Sequence, residues 1–312
     1  MGSIRFLLGL ALAVASFGAS AASAQTVSVY AGGSSQGIAV GPGEEVFFSN
    51  FTGDAASRVP PGGGTPTTYV ANALQSPLDV FRSPAGALYV TYEQGSRVVR
   101  YADGCVTPCA GTVVGNPAAP TCTTMDAAGN LYVASFNAGD VTRFDAGCVA
   151  SCAPTNFATG LGAGSAGLVT DAAGNLYLAR DNGSVLRFAA GCVAPCTATV
   201  YASGLSSGIR GITLGEGGSF YLTDTTTPSI LRLPAGGGAA TTYAVLPVGS
   251  VPRDLERAAS GVIYVAGENA VYAVSPPAPA PVPTLTEWAM ILFGLVLAGG
   301  AVMAIHRREQ AV

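Results

Sequence analysis

The chain of 312 residues contains no lysine, a single histidine and a single tryptophan. All 14 of its basic residues are arginine, and charged residues make up only 10% of the chain, against about 25% in an average soluble protein. A formal net charge of −4 leaves no basic face for phosphate, so no nucleic-acid partner is expected. The one histidine, His306, follows the apolar run at the C-terminus. The body of the chain therefore has no imidazole for acid–base work or for a histidine-containing zinc site. No Gly-x-Ser-x-Gly elbow, Walker loop or dinucleotide fingerprint occurs in a strand-to-helix context, and no helical period appears outside the two ends.

The two ends are apolar for different reasons. Arg5, the run from Phe6 to Ala15 and the small-residue site Ala22-Ser23-Ala24 read as a signal peptide over residues 1–24, with Gln25 as the mature start. Residues 275–281 form a Pro/Ala linker, extended and without a core of its own. An unbroken apolar run covers residues 288–305, led by Trp288 and followed by His306, Arg307 and Arg308. Its 18 residues suffice for a minimal transmembrane helix with the arginines on the cytoplasmic side.

Just before that run stand Val282-Pro283-Thr284-Leu285-Thr286-Glu287-Trp288. Motif, helix and basic end together resemble the IPTL-CTERM sorting domain of Gram-negative bacteria over residues 282–308, with Val282 in place of the usual Ile. The resemblance implies an exosortase-type processing enzyme as partner. It also implies an inner-membrane-anchored intermediate that is later released or attached at the cell surface.

Between the ends the sequence repeats. The central rings of an apolar-aromatic-apolar triplet are Phe47, Tyr89, Tyr132, Tyr177, Tyr221 and Tyr264, separated by 42, 43, 45, 44 and 43 residues. Gly86, Gly129, Gly174, Gly218 and Gly261 each precede the ring by three places, and Asp-Ala-Ala-Gly-Asn occurs twice, at 126–130 and 171–175. Glycine there can take the positive φ of a tight hairpin turn. Each unit reads as four short strands, the pattern of a propeller blade. The sixth unit stops after its third strand, whereas Val27-Ser28-Val29-Tyr30-Ala31 is a fourth strand without a blade. The expected fold is thus all-β: a six-bladed propeller over 25–274, closed by an N-terminal strand that completes blade six, plus one C-terminal transmembrane helix. Gln36-Gly37-Ile38-Ala39-Val40 and Asp171-Ala172-Ala173-Gly174-Asn175-Leu176-Tyr177-Leu178 resemble NHL-type propellers. They resemble more distantly the gluconolactonase and streptogramin-lyase group.

Six cysteines form three C-x3-C pairs in the turn between third and fourth strands of blades two to four: Cys105 with Cys109, Cys148 with Cys152, and Cys192 with Cys196. Blades one and five carry Gly62-Gly63-Gly64 and Gly236-Gly237-Gly238 there. In an exported chain the simplest reading is three local disulfides. Metal or redox chemistry would need ligands that converge, and these pairs lie on separate blades. Cys122 is left over, either an inert buried thiol or a reactive one. Arg58, Arg100, Arg143, Arg187 and Arg232 recur ten or eleven places after the ring and read as blade construction, stems covering a face.

Function should lie where the pattern breaks. Asp79 and Asp254 share a first-strand position with Gly37, Cys122, Gly167 and Gly211, and Arg210 and Arg253 stand one place before that position. Asn50 and Asp224 lie three places past their rings, in a series with Tyr92, Ser135, Arg180 and Gly267. Asn50, Asp79, Arg210, Asp224, Arg253 and Asp254 are the candidate ligand-binding residues, expected at a polar channel mouth. No catalytic residues are assigned, since the streptogramin-lyase resemblance would require a histidine that the body lacks. The leading expectation is a non-catalytic binding module for a protein, glycan or matrix component, with no cofactor. The alternative is a calcium-dependent, gluconolactonase-like hydrolase using Asp79, Asp224, Asp254 and Asn50 as oxygen ligands, although the Glu-Gly-Pro segment of that family is missing.

Overall fold

A computed structural model of the chain describes residues 25–71, 76–105, 109–278 and 285–309. The signal peptide and Val282, Pro283 and Thr284 lie outside the described residues.

Residues 25–276 form one compact unit of six four-stranded antiparallel sheets. Blade one comprises β2 (Ser35–Val40), β3 (Val46–Asn50), β4 (Ala55–Val59) and β5 (Thr67–Ala71). Blade two follows with β6 (Pro77–Arg82), β7 (Leu88–Tyr92), β8 (Arg97–Tyr101) and β9 (Thr112–Gly115), and blade three with β10 (Pro120–Met125), β11 (Leu131–Ser135), β12 (Val141–Phe144) and β13 (Thr155–Ala158). Blade four has β14 (Ser165–Thr170), β15 (Leu176–Arg180), β16 (Ser184–Phe188) and β17 (Thr199–Ala202), and blade five β18 (Ile209–Leu214), β19 (Phe220–Asp224), β20 (Ser229–Leu233) and β21 (Thr241–Val245). Blade six joins β22 (Pro252–Arg257), β23 (Ile263–Gly267) and β24 (Ala270–Ser275) to β1 (Thr26–Gly32). β1 runs antiparallel to β24, with Thr26 opposite Ser275 and Gly32 opposite Ala270. Each first strand packs on the next around the ring, and β22 returns to β2. Closure leaves blade six no unpaired β24 edge.

The repeated residues build the blades. Every ring lies in a second strand, and in the first five blades the recurring arginine stands directly opposite it, as in Phe47 with Arg58 and Tyr221 with Arg232. Across that third strand the ring also meets an aromatic of the outer strand in five blades: Phe47–Tyr69, Tyr132–Phe157, Tyr177–Tyr201, Tyr221–Tyr243 and Tyr264–Tyr30, at 4.6–5.1 Å between centroids. The apolar residues gather into six cores, one between each pair of neighbouring blades. Because no core occupies the axis, a narrow channel remains.

The third turn of a blade clasps the outer strand of the blade before it. Ser151 and Cys152 donate backbone N–H groups to Val113 and Val114 carbonyls at 2.9 and 2.8 Å, and Cys196 donates to Phe157 at 2.6 Å. Blade one does the same through Gly64 and the Tyr30 carbonyl, 3.1 Å. The expected disulfides are all present within these turns. Cys105 is bonded to Cys109, Cys148 to Cys152 and Cys192 to Cys196, with Cα–Cα distances of 5.6, 6.1 and 5.8 Å. Cys109 also packs, half-buried, against the core between blades one and two. Where glycine replaces the cysteines the reason is space: Gly237 has φ +86°, and a Cβ there would lie 2.2 Å from the Tyr201 carbonyl oxygen. Cys122 is a buried free thiol.

The second unit carries helix α1 (Leu285–Glu309), 25 residues long. Glu287 and Trp288 fall within it beside Leu285. Among the described residues no helical stretch is both long and apolar enough to cross a membrane.

Candidate functional site

The six first strands line the channel, and each carries a register shift just after its first residue. A bulge at that point turns the next side chains inward and re-aims them along the axis. The first residue of each strand pairs with the residue three past the ring: Ser35 with Asn50, Pro77 with Tyr92, Pro120 with Ser135, Ser165 with Arg180, Ile209 with Asp224 and Pro252 with Gly267. These pairs mark one end of the channel, its mouth.

Beyond the bulge the channel narrows to a waist. Asp79, Cys122, Asp254 and Glu256 line a cavity of about 90 Å³ with Ile38, Thr123 and Thr213. Each carboxyl reaches to the following blade. Asp79 Oδ2 accepts from the Thr123 N–H at 2.7 Å, Asp254 Oδ2 from Ile38 at 3.1 Å and Glu256 Oε2 from Val40 at 2.7 Å. Glycine on the preceding blade makes room for the aspartates. A Cβ at Gly37 would lie 2.5 Å from Asp79 Cα, and one at Gly211 would lie 2.7 Å from Asp254 Cα. The sequence column Gly37–Asp79 and Gly211–Asp254 is therefore a size match between neighbouring blades.

The carboxyls hold their protons well into the neutral range. Asp254 is raised to about 7 and Glu256 to about 8, both chiefly by burial, with the Asp254 charge adding to Glu256. Asp79 is raised well above the carboxylate range by burial and then by Asp254. Asp254 and Glu256 keep some exposed area, but it faces the confined channel rather than bulk water, so desolvation dominates. The Cys122 thiol is also pushed up, first by burial and then by Asp79.

The mouth is different in kind. Arg210 Nη1 stands 3.8 Å from Asp181, and its guanidinium lies 5.2 Å from the centre of the Phe136 ring. Arg253 is paired with Glu268. Arg180 donates to the Gly162 and Ala163 carbonyls at 3.2 and 3.0 Å. Asn50 and Asp224 serve their own loops. Asn50 Oδ1 accepts from Gly53 N–H at 3.0 Å. Asp224 accepts from Ser206 at 2.8 Å, from the Thr226 N–H at 2.9 Å and from Thr227 at 2.8 Å.

The six candidates thus divide into three groups. Asp79 and Asp254 both line the waist, Arg210 and Arg253 stand at the mouth, each beside its own carboxylate, and Asn50 and Asp224 join neither. Among the described residues no three His, Cys, Asp or Glu side chains converge as metal ligands. Glu256 and Phe136 were not singled out from the sequence. Reading the first-strand column two places past Asp254 would have found Glu256, where the other blades have Ala39, Phe81, Thr124, Val169 and Thr213. Phe136 reaches Arg210 across blade four, and no repeat offset reveals that contact. A larger groove of about 780 Å³ lies away from the channel between blades three and four. It is lined by both Asp-Ala-Ala-Gly-Asn turns and by Arg143, Phe157 and Val193. Asp126 and Asp171 are tied up inside those turns, each accepting from the amide of the Asn four places on, at 2.9 and 2.8 Å.

Residues 280–308 match the IPTL-CTERM motif. That match implies exosortase processing, and with it export and surface sorting in a Gram-negative bacterium. No curated protein matches the chain. Solved structures share the propeller. A putative gluconolactonase is 13% identical with a TM-score of 0.67, over 83% of this chain and 93% of that one. The virginiamycin B lyase of Staphylococcus aureus is 15% identical with a TM-score of 0.56, over 75% and 78%. A propeller from a nidogen/laminin complex is 21% identical with a TM-score of 0.56, over 66% and 79%. At these identities the likeness extends to the fold alone.

Proposed function

We propose that this is an exported, surface-sorted propeller that acts as a binding module. The observation that carries it is the use made of the channel acids. Asp79, Asp254 and Glu256 each accept a backbone N–H from the neighbouring blade, as pins between blades do, and their protons are held by burial. Asn50 and Asp224, the other oxygen donors of the calcium-dependent alternative, are engaged in turns of blades one and five. Recognition then falls to the mouth and the blade faces. In this reading residues 1–24 are removed on export, the C-terminal sorting segment tethers the chain at the inner membrane, and processing near residues 282–288 delivers the propeller to the outside.

Thermal unfolding with calcium and with EDTA, beside a lactone-hydrolysis assay, tests it. The expected result is no calcium-dependent shift and no hydrolysis. A saturable calcium shift with hydrolysis, both abolished by Asp79→Ala or Asp254→Ala, would establish the hydrolase instead.

A further inference from the structure

Two arginines break the six-fold pattern at the mouth. At the second position of the first strand, blades one to four carry Gln36, Leu78, Thr121 and Ala166, whereas blades five and six carry Arg210 and Arg253. Their charges act on each other. Arg210 is held below the ordinary arginine value first by burial, Asp181 opposes that, and Arg253 adds to it. Asp181 is a distant partner at 3.8 Å, and it meets only the Nη1 side. The Nε–H groups of Arg180, Arg210 and Arg253 are buried with no acceptor among the described residues, and Arg253 meets Glu268 through Nη2. A guanidinium takes an oxyanion through two parallel N–H donors on one edge, and on Arg210 the edge that carries Nε is the one no protein oxygen meets. The Phe136 ring, 5.2 Å from the guanidinium carbon, lies against that fork. Asp224 does not compete for it, since its oxygens are taken by Ser206, Thr226 and Thr227.

We propose that Arg210 and Arg253 form a binding site for a compact carboxylate or sulfate group at the channel mouth. This names the ligand chemistry of the binding module and rests on that reading. Compactness follows from the small waist beneath, where Asp79, Asp254 and Glu256 line a cavity of about 90 Å³. Binding would satisfy the unmet Nε–H donors and relieve the repulsion between the two cations.

The test is calorimetric titration of the full chain with galacturonate, with sodium sulfate, and with galactose as the uncharged control. Saturable binding of galacturonate or sulfate but not of galactose is expected, and whichever anion binds identifies the source. Arg210→Gln and Arg253→Gln should weaken it about tenfold or more, whereas Arg143→Gln, on a blade face, should not. Arg210→Lys keeps the charge but lacks the fork, so it should also lose binding while its melting temperature stays near wild type. Unchanged affinity in Arg210→Gln, equal binding of galactose, or no saturation by either anion would overturn the proposal. If anion binding fails and no calcium-dependent hydrolysis is found, only the mouth assignment falls. Calcium-dependent hydrolysis would overturn the binding-module reading itself.

Discussion

Replacing Glu256 by Gln should make the propeller more stable above neutral pH. The amide oxygen of Gln can still accept from the Val40 N–H, which Glu256 Oε2 now does at 2.7 Å, but it cannot ionise. In the folded chain Glu256 releases its proton near 8, against 4.5 when free. Between those values the folded protein holds a proton that the unfolded chain has lost, so stability falls as pH rises through the window. Each pH unit costs about 1.4 kcal/mol for one such group. Asp254, raised to about 7 from 3.8, adds the same sign below neutrality. Urea unfolding at pH 5.5, 7 and 8.5 should therefore show wild-type stability dropping by ~3 kcal/mol or more. Glu256→Gln should remove roughly half of that slope and exceed wild type by only ~1–2 kcal/mol at pH 5.5. A wild type that gains stability toward pH 8.5, or a variant with an unchanged slope, would refute the account of the waist as buried neutral acids.

Denatured, unreduced protein should titrate one free thiol, Cys122; a count of seven would rule out the three disulfides. Gly237→Ala should destabilise the propeller by ~1–3 kcal/mol, because it places a Cβ against the Tyr201 carbonyl at positive φ. The same change at Gly236, where a Cβ meets nothing within 4 Å, should cost less in chemical denaturation. Deleting residues 25–32 strips β1 from blade six and exposes the β24 edge; the melting temperature should fall by about 10 °C or more, with aggregation seen by light scattering.

Periodicity made the architecture legible. The ring spacing set the blade count, and the surplus strand at residues 27–31 with the short sixth repeat set the closure, because strand pairing must be satisfied within the chain. The cysteine and arginine columns could be read as construction, and the pairing of Cys105 with Cys109 and its two counterparts followed from spacing, but their neighbours could not be read. That Arg58 faces Phe47 across the ladder, or that Cys152 holds Val114 of the previous blade, depends on register and on blade stacking. The candidate site was legible only as a column. Asp79 and Arg210 look equivalent in sequence, one place apart, yet the first lies at the waist and the second at the mouth. Glu256 is not legible from its local sequence, because a charge near a strand end ordinarily means solvent, whereas here the channel receives it.

The claim that this ring is displayed outside the cell is tested most directly by intact-mass measurement of the protein recovered from the cell surface. The account expects a chain that begins at Gln25 and lacks the apolar segment beyond the sorting motif. Recovery of the whole chain from the inner membrane alone, with residues 288–305 still attached, would contradict it.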